Sequence, residues 1–526
     1  MQYTIAIIGS GPMGFTSGVA FASWGNKVRF LDLNQKIVEK INSGISPFYE
    51  PGLQELFLSS RNNITATSDY SEALKWADIA FICVGTPEKE DGSVDLKYVE
   101  SAAASLGQNL PNAPGLTIIN KSTVPPGTVS GLIKETLEKI SGGKAGKDFY
   151  IGSNPEFLAE GKAVEDALRP DKIVIGVSND RAKEVLLSLY SHPSLSNSKI
   201  VVTDTNTAEA VKYGNNNWLP SKVCFVNEVG RILLKQGIDV YDIVKRAKEL
   251  GMEDFLAENF EREVPVTGKE VLILKKLGEK TGVKTPILDS IIESLNPSEP
   301  AEMDWPELFK GALYSLHQVF LKEYSALGKL LNFNSAEVVH AVSLDKRAAH
   351  GFLDAGPGIG GSCFVKDLKG MAAVAKIKGY EAKLLLADVE SDKIQKSYAF
   401  ERLKEQIAEL KGRKIAVLGL AFKPDTDDIR ESAAISVINK LLEAGAEVHA
   451  WDPKAAENMK RIYPNITYFN HVNAALAGTD AAIVLTHWKE VKEADFSGMN
   501  GNLIVDARRT VEKGTAGKTV IGICWP

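Results

Sequence analysis

The sequence predicts an α/β protein in which two doubly wound parallel-sheet domains are joined by a central helical domain, itself enlarged by an extra helical segment. Three observations carry this. Short apolar runs alternate with amphipathic stretches near the N-terminus, a second set of such runs recurs near the C-terminus, and the region between them has helical periodicity.

In the first set, Ile5–Ile8, Val28–Leu33, Ile79–Val84, Leu116–Ile119 and Ile173–Val177 are near-continuous apolar runs, the pattern of strands buried on both faces. They place a first domain at 1–204. Gly9-Ser-Gly11-Pro-Met-Gly14 follows the first run and opens a helical stretch, and Asp32 closes the second. Glycines there permit a tight turn and close approach to a pyrophosphate. The helix N-terminus favours the negative charge, and Asp32 can accept from adenosine ribose hydroxyls. This is a Rossmann-like dinucleotide site, and an acid at 32 with no arginine after it favours NAD over NADP. Cys83-Val-Gly-Thr86-Pro87 reads either as a wall of the pyrophosphate and nicotinamide region or as a structural turn.

The central region, 205–395, holds three stretches of similar cadence, starting at Asn227, Lys269 and Ser325, each an amphipathic helix, a polar break and a second helix. Asp239, Thr285 and Ser335 stand where N-caps would open the second helices, which suggests partial internal duplication. In the last domain, 396–526, the runs Lys414–Leu420, Glu447–Trp451, Ala481–Thr486 and Leu503–Asp506 echo the first set, including an acid, Asp452, after the second strand.

Composition bounds the function. A chain of 526 residues with 44% hydrophobic and 24% charged content is long enough for several cores. No apolar stretch reaches the length of a membrane span, so a cytoplasmic protein is expected. A net charge of −6 with dispersed basic residues argues against a nucleic-acid partner. The four cysteines and seven histidines show no metal-ligand spacing, so no metal is expected.

Three segments carry candidate chemistry: Asn154-Pro-Glu156-Phe-Leu-Ala-Glu160-Gly, Glu209-Ala-Val-Lys212-Tyr-Gly-Asn-Asn216, and Gly358-Ile-Gly-Gly361-Ser-Cys363-Phe-Val-Lys366-Asp367. On a helix, Lys212 and Asn216 share one face and could point at one oxyanion. Cys363 follows a glycine-rich loop and precedes a cation, a setting that favours a nucleophilic thiolate.

With these residues in view, the sequence resembles the UDP-glucose/GDP-mannose dehydrogenase family, and within it the UDP-glucose branch. The matching motifs are GSGPMG, ICVGTP, KSTVPPGT, NPEFLAEGKAVEDALRPDKIVIG, AEAVKYGNNNW, GPGIGGSCFVKD and GLAFKPDTDDIRES, in the family's order. The resemblance implies a four-electron oxidation that consumes two NAD per nucleotide-sugar, with Cys363 forming a thiohemiacetal and then a thioester. It implies that Lys212 and Asn216 stabilise the oxyanion while Asp367, Thr123 and Glu156 handle protons and water. Glu160, Lys366 and Arg430 are implied as cofactor-side contacts, with Thr86 and Thr123 lining the nicotinamide. Lys423 and Arg508 are implied as contacts to the nucleotide-sugar diphosphate, and the segment from Phe352 to Gly356 together with Gly360 as the loop that wraps it. Arg347 matches an arginine that reaches across from a neighbouring subunit. The same resemblance leaves UDP-N-acetylhexosamine and GDP-mannose as substrates, and a catalytically silent sugar-nucleotide binder, as alternatives to UDP-glucose oxidation.

Four departures from the family pattern stand out. Val365 replaces a proline, which predicts a looser loop around Lys366. Pro220 predicts a kink or end to the helix carrying Lys212 and Asn216. Pro12-Met13 is similar instead to hydroxyacyl-CoA dehydrogenases. The segment at about 250–335 is added material; since the family pairs through its central helices, it is expected either to enlarge the contact of a homodimer or to substitute for that contact within one chain.

Overall fold

The computed structural model describes residues 2–260, 269–295, 304–349 and 351–526. The chain divides into two compact units, Met1–Asn215 with Tyr324–Lys346 and Ala373–Tyr380, and the remainder.

The first unit is built on eight strands: β1 (Thr4–Ile8), β2 (Lys27–Leu31), β3 (Ile64–Thr67), β4 (Ile79–Ile82), β5 (Thr117–Asn120), β6 (Tyr150–Ser153), β7 (Lys172–Val177) and β8 (Lys199–Thr203). Their order is β3-β2-β1-β4-β5-β6-β7-β8, and every neighbouring pair is parallel except β6–β7. β1 pairs with β2 and β4, Ile5 standing opposite Val28 and Ile79, and both its faces are covered, Ile5 and Ile7 in one core cluster and Ala6 and Ile8 in the other, so the run must be apolar. One face packs Phe15, Phe21, Phe30, Phe57 and Phe81, with Phe21 stacked on Phe81 at 5.1 Å. The other packs Leu106, Ile118, Leu137 and Phe149. β3, β6 and β8 have no counterpart among the apolar runs. β3 and β8 are sheet edges with exposed positions, and β6 is only four residues long.

The second sheet lies in the other unit. β9 (Lys414–Leu418), β10 (Glu447–Trp451), β11 (Thr467–Tyr468), β12 (Ala481–Val484), β13 (Leu503–Asp506) and β14 (Thr519–Gly522) form a parallel sheet ordered β11-β10-β9-β12-β13-β14. β11 and β14 are edges and were likewise not foreseen.

Helix Thr205–Leu234 opens the central region and continues through Pro220, so of the two expectations, a kink or an end, the end is corrected. The proline supplies no N–H, so the carbonyl of Asn216 lacks its donor one turn on. The segment called added contains helices Met252–Asn259, Lys269–Thr281, Pro286–Leu295 and Trp305–Leu331. Asp239 caps Val240–Glu249 by accepting from the Tyr241 N–H at 2.9 Å. For the helix Ser335–Ser343 the cap is Asn334, accepting from the Ala336 N–H at 3.1 Å; Ser335 is its first helical residue, a correction by one position. Thr285 directly precedes Pro286–Leu295, and its carbonyl accepts from the Asp289 N–H at 2.9 Å. Among the described residues no helix is long and apolar enough to cross a membrane.

Candidate active site

Strand order reverses between β1 and β4, and the Gly9–Gly14 loop leaves β1 at that switch point. Gly9 has φ +98°, and a Cβ there would lie 2.8 Å from the Cys83 carbonyl oxygen; one on Gly14 would lie 2.3 Å from that of Gly9. Both must therefore be glycine for helix Pro12–Ser23 to start close to the sheet. Gly11 is different: nothing lies within 4 Å of the position its Cβ would take, so a ligand has open access to the backbone. Pro12 at the first helical position loses no needed donor, and no side chain caps the helix, which leaves its first N–H groups for an anion. The half-buried Asp32 accepts from the N–H groups of Ser10 at 2.8 Å and Asn34 at 2.9 Å. These bonds fix the carboxylate and leave it lone pairs for two ribose hydroxyls. The residues fit NAD.

Asp452, the echo of Asp32 in the second sheet, does something else. Its oxygens accept from the N–H groups of Leu420, Ala421, Lys454 and Ala455 and from the Trp488 indole, so it is satisfied within the protein.

Thr86 and Thr123 follow β4 and β5 and are half-buried. A buried polar cluster lies at the carboxyl ends of these strands, with no pattern in the sequence to mark it. β5 and β6 are parallel neighbours, which brings the residues after them together: Lys121 Nζ donates to the carbonyl oxygen of Asn154 at 3.2 Å and to its Oδ1 at 3.0 Å. Tyr190 Oη donates to the same Oδ1 at 2.5 Å. Burial lowers Lys121 to about 8 and pushes the Cys83 thiol up to about 12, which disfavours its thiolate. The only sequence signal for Lys121 was its place in KSTVPPGT.

On the loop after β6, Glu156 Oε1 accepts from Lys212 Nζ at 3.0 Å and Oε2 from the Leu158 N–H at 2.6 Å. Both partners of this ion pair are more than nine-tenths buried, so removing one leaves an uncompensated charge, a loss of roughly 3–5 kcal/mol. The Phe157 ring lies 5.5 Å from the same ammonium. Glu160, further along the loop, is half-buried.

In the second unit Cys363 immediately precedes helix Phe364–Ile377, and its carbonyl accepts from the Asp367 N–H at 2.8 Å. The positive end of a helix stabilises negative charge on a sulfur placed there. Ser362 Oγ lies 3.4 Å from Cys363 Sγ. Asp367, fully buried, takes the amide of Asn216 on Oδ2 at 2.7 Å and Lys366 Nζ on Oδ1 at 2.5 Å. Lys212 and Asn216 thus each hold a carboxylate, Glu156 and Asp367 respectively. Val365 is buried in the first turn of the helix, so Lys366 stands on a helix, not on a loop that the missing proline loosens.

The glycines before Cys363 make room for neighbours. A Cβ on Gly360 would lie 2.3 Å from that of Phe422, and one on Gly356 would lie 2.8 Å from Arg508 Nη1. Arg508 donates to the carbonyls of Leu485 and Phe422, both at 3.2 Å, and Lys423 Nζ lies 5.4 Å from the Phe422 ring. Arg508 therefore stands against the glycine loop, and Lys423 beside Phe422. Phe352 has φ +60°, rare for a side chain of this size, and its ring meets Phe364 edge-on at 6.0 Å. Arg430 is exposed and pairs bidentately with Asp428, while its carbonyl accepts from the Gly361 N–H at 2.9 Å. The carbonyl of Arg347 accepts from Lys222, a buried lysine that also holds the carbonyls of Ala348 and Gly351.

Residues 3–194 match the NAD binding domain of the UDP-glucose/GDP-mannose dehydrogenase family, residues 206–296 and 307–393 its central domain, and residues 416–513 its UDP binding domain. The chain belongs to that family. It is an NAD-dependent dehydrogenase. A UDP-glucose 6-dehydrogenase of Haloferax volcanii is 34% identical over 97% of both chains, and one of Rickettsia bellii is 31% identical over 97% of this chain and 95% of the relative. A UDP-glucose dehydrogenase structure from Pyrobaculum islandicum superposes with TM-score 0.74 at 29% identity, covering 100% of this chain and 98% of that one. The family's substrates are nucleotide-sugars, and the UDP binding match coincides with the domain that supplies Lys423 and Arg508.

Proposed function

We propose that this protein oxidises the primary alcohol of UDP-glucose to the carboxylate of UDP-glucuronate through a thiohemiacetal and a thioester on Cys363. The observation that carries the reading is the position of Cys363 at a helix start, with Asp367 one turn on held by Asn216. UDP-glucose 6-dehydrogenase names among the full-length relatives support the substrate.

When bound at the Gly9–Gly14 loop and Asp32, NAD supplies the hydride acceptor for both oxidations. The residues that bear on the first are Thr123 and the Glu156–Lys212 pair, whose charges suit a proton leaving the alcohol. In the second, Cys363 Sγ adds to the aldehyde carbon, the carbonyl oxygen becomes an alkoxide, and the ammonium of Lys212 and the amide of Asn216 stabilise that charge. Asp367 and Glu156 are the carboxylates that position and deprotonate the water whose attack on the thioester frees the acid and returns the thiol. Lys423 and Arg508 fix the diphosphate.

The test is to supply UDP-glucose and NAD and count NADH at completion. Two per sugar is the expected result; one per sugar, or none, overturns it. Cys363→Ser should lower overall turnover by about three orders of magnitude or more, and undiminished turnover rules out the covalent role. A panel of nucleotide-sugars in the same assay tests the choice of hexose.

A further inference from the structure

The central helices repeat. A long helix, a short one, a shorter one, then a medium helix and a final helix occur first as Thr205–Leu234, Val240–Glu249, Met252–Asn259, Lys269–Thr281 and Pro286–Leu295. They occur again as Trp305–Leu331, Ser335–Ser343, Lys346–Ala349, Phe364–Ile377 and Lys383–Gln406. The correspondence holds residue by residue. At one fixed spacing Phe225 pairs with Phe320, Glu228 with Glu323, and the caps Asp239 with Asn334; Gly237 pairs with Asn332, both at positive φ. At a slightly longer fixed spacing, the buried Val271, Leu274 and Gly278 pair with the buried Leu368, Met371 and Ala375.

The paired residues make paired contacts. Glu228 accepts from the N–H groups of Ile287 and Leu288 at the start of one final helix, and Glu323 from those of Leu384 and Leu385 at the start of the other. Contacts between the copies are reciprocal as well. Lys222 of the first copy holds carbonyls of the second copy's shorter helix Lys346–Ala349 and of Gly351 just past it, and His317, at the same place in the second copy, meets Phe260, just past the first copy's shorter helix Met252–Asn259, at 4.7 Å. Phe320 packs on Trp218 at 5.1 Å, and its counterpart Phe225 packs on Phe309 at 5.4 Å, so the long helices cross antiparallel. The two final helices lie against each other and line one cleft with counterparts: Lys284 and Glu381, Ser290 and Ala387, Glu293 and Glu390. A contact in which equivalent elements meet each other, and each copy's long helix reaches the other copy's shorter helix, is what a two-fold axis produces.

Catalytic residue types are not shared equally. In the second copy Glu307 and Gly311 stand where the first has Lys212 and Asn216, and in the first copy Val266 and Glu270 stand where the second has Cys363 and Asp367. Val266 lies outside the described residues. The bond from Asn216 to Asp367 therefore joins the two copies.

We propose that the central domain is a tandem duplication closed on itself as an internal pseudo-dimer, in which the copies divide the labour and each chain carries a single composite catalytic set, the long helix coming from the first copy and the cysteine helix from the second. The proposal takes only the identity of the catalytic pair from the function proposed above. A two-fold contact made within one chain leaves no equivalent face for a second chain, so the protein is a monomer in solution.

Light scattering on the intact protein should give the mass of one chain, 57.1 kDa, unchanged across micromolar concentrations; a stable two-chain particle overturns the proposal. Co-expression of Asn216→Ala with Cys363→Ser should give no more activity than either variant alone, because each chain needs both residues from its own copies. Recovery toward a quarter of wild-type activity would show that the residues meet across chains and would also overturn it. Glu307→Gln should leave kcat unchanged, and a large loss there would show that the second long helix still takes part in the chemistry. Full activity in Cys363→Ser by itself would sink the covalent mechanism without touching the mass, which is measured independently of any reaction.

Discussion

Asp367 shows how a single side chain is committed by its surroundings. It is fully buried, its two oxygens take an amide and an ammonium, and its backbone N–H bonds back to Cys363, so carboxylate and sulfur are held on the same helical turn. Asp367→Asn keeps the shape, removes the base and sets an amide against the amide of Asn216. Turnover with UDP-glucose should fall by about 10²–10⁴-fold while the NAD affinity of the other unit is unchanged; near-normal kcat would show that Asp367 only braces the helix. In the sequence this residue was singled out by its place in the GPGIGGSCFVKD motif that carries the family resemblance. Lys121 and Lys222 were not visible. A lysine in a chain reads as solvated until the fold shows that carbonyls have replaced its water.

At the scale of elements, helix Thr205–Leu234 carries the most consequence. Pro220 removes the donor that the Asn216 carbonyl would otherwise accept from, yet the helix continues because packing on neighbouring helices outweighs one lost bond. Pro220→Ala should raise stability by roughly 1–3 kcal/mol, read as the urea midpoint, and an unchanged midpoint would mean that the carbonyl is already satisfied. On the partner helix Trp305–Leu331, burial pulls His317 from 6.5 down to about 4. A depressed folded value means that the neutral ring is favoured. Its contribution is fully present above pH 6.5 and is lost as pH falls through about 4, by up to about 3 kcal/mol. His317→Gln should flatten the fall in stability between those pH values; an equally steep fall in the variant would assign it to the buried carboxylates instead.

For the whole molecule, two doubly wound sheets of similar order serve different ends, and the difference lies in how an acid is used. Asp32 keeps lone pairs for a ligand, whereas Asp452 gives its own to the protein. NAD at a hundred times its Kd should stabilise the protein by about 2.7 kcal/mol, and Asp32→Ala should abolish most of that gain at the same NAD concentration. A full gain in the variant would place the ribose elsewhere.

The sequence by itself determined the fold class and the nucleotide loop, because buried parallel strands must be apolar throughout and a pyrophosphate turn must be glycine. Edge strands such as β8 and β11 escaped notice because half-exposed pairing imposes no such pattern. Only the tertiary structure decided which partner each charge takes, why Asp452 is not a second Asp32, and that the two runs of central helices contact one another as counterparts. Those outcomes depend on groups far apart in the chain being brought within bonding distance, and local sequence pattern carries no record of that distance.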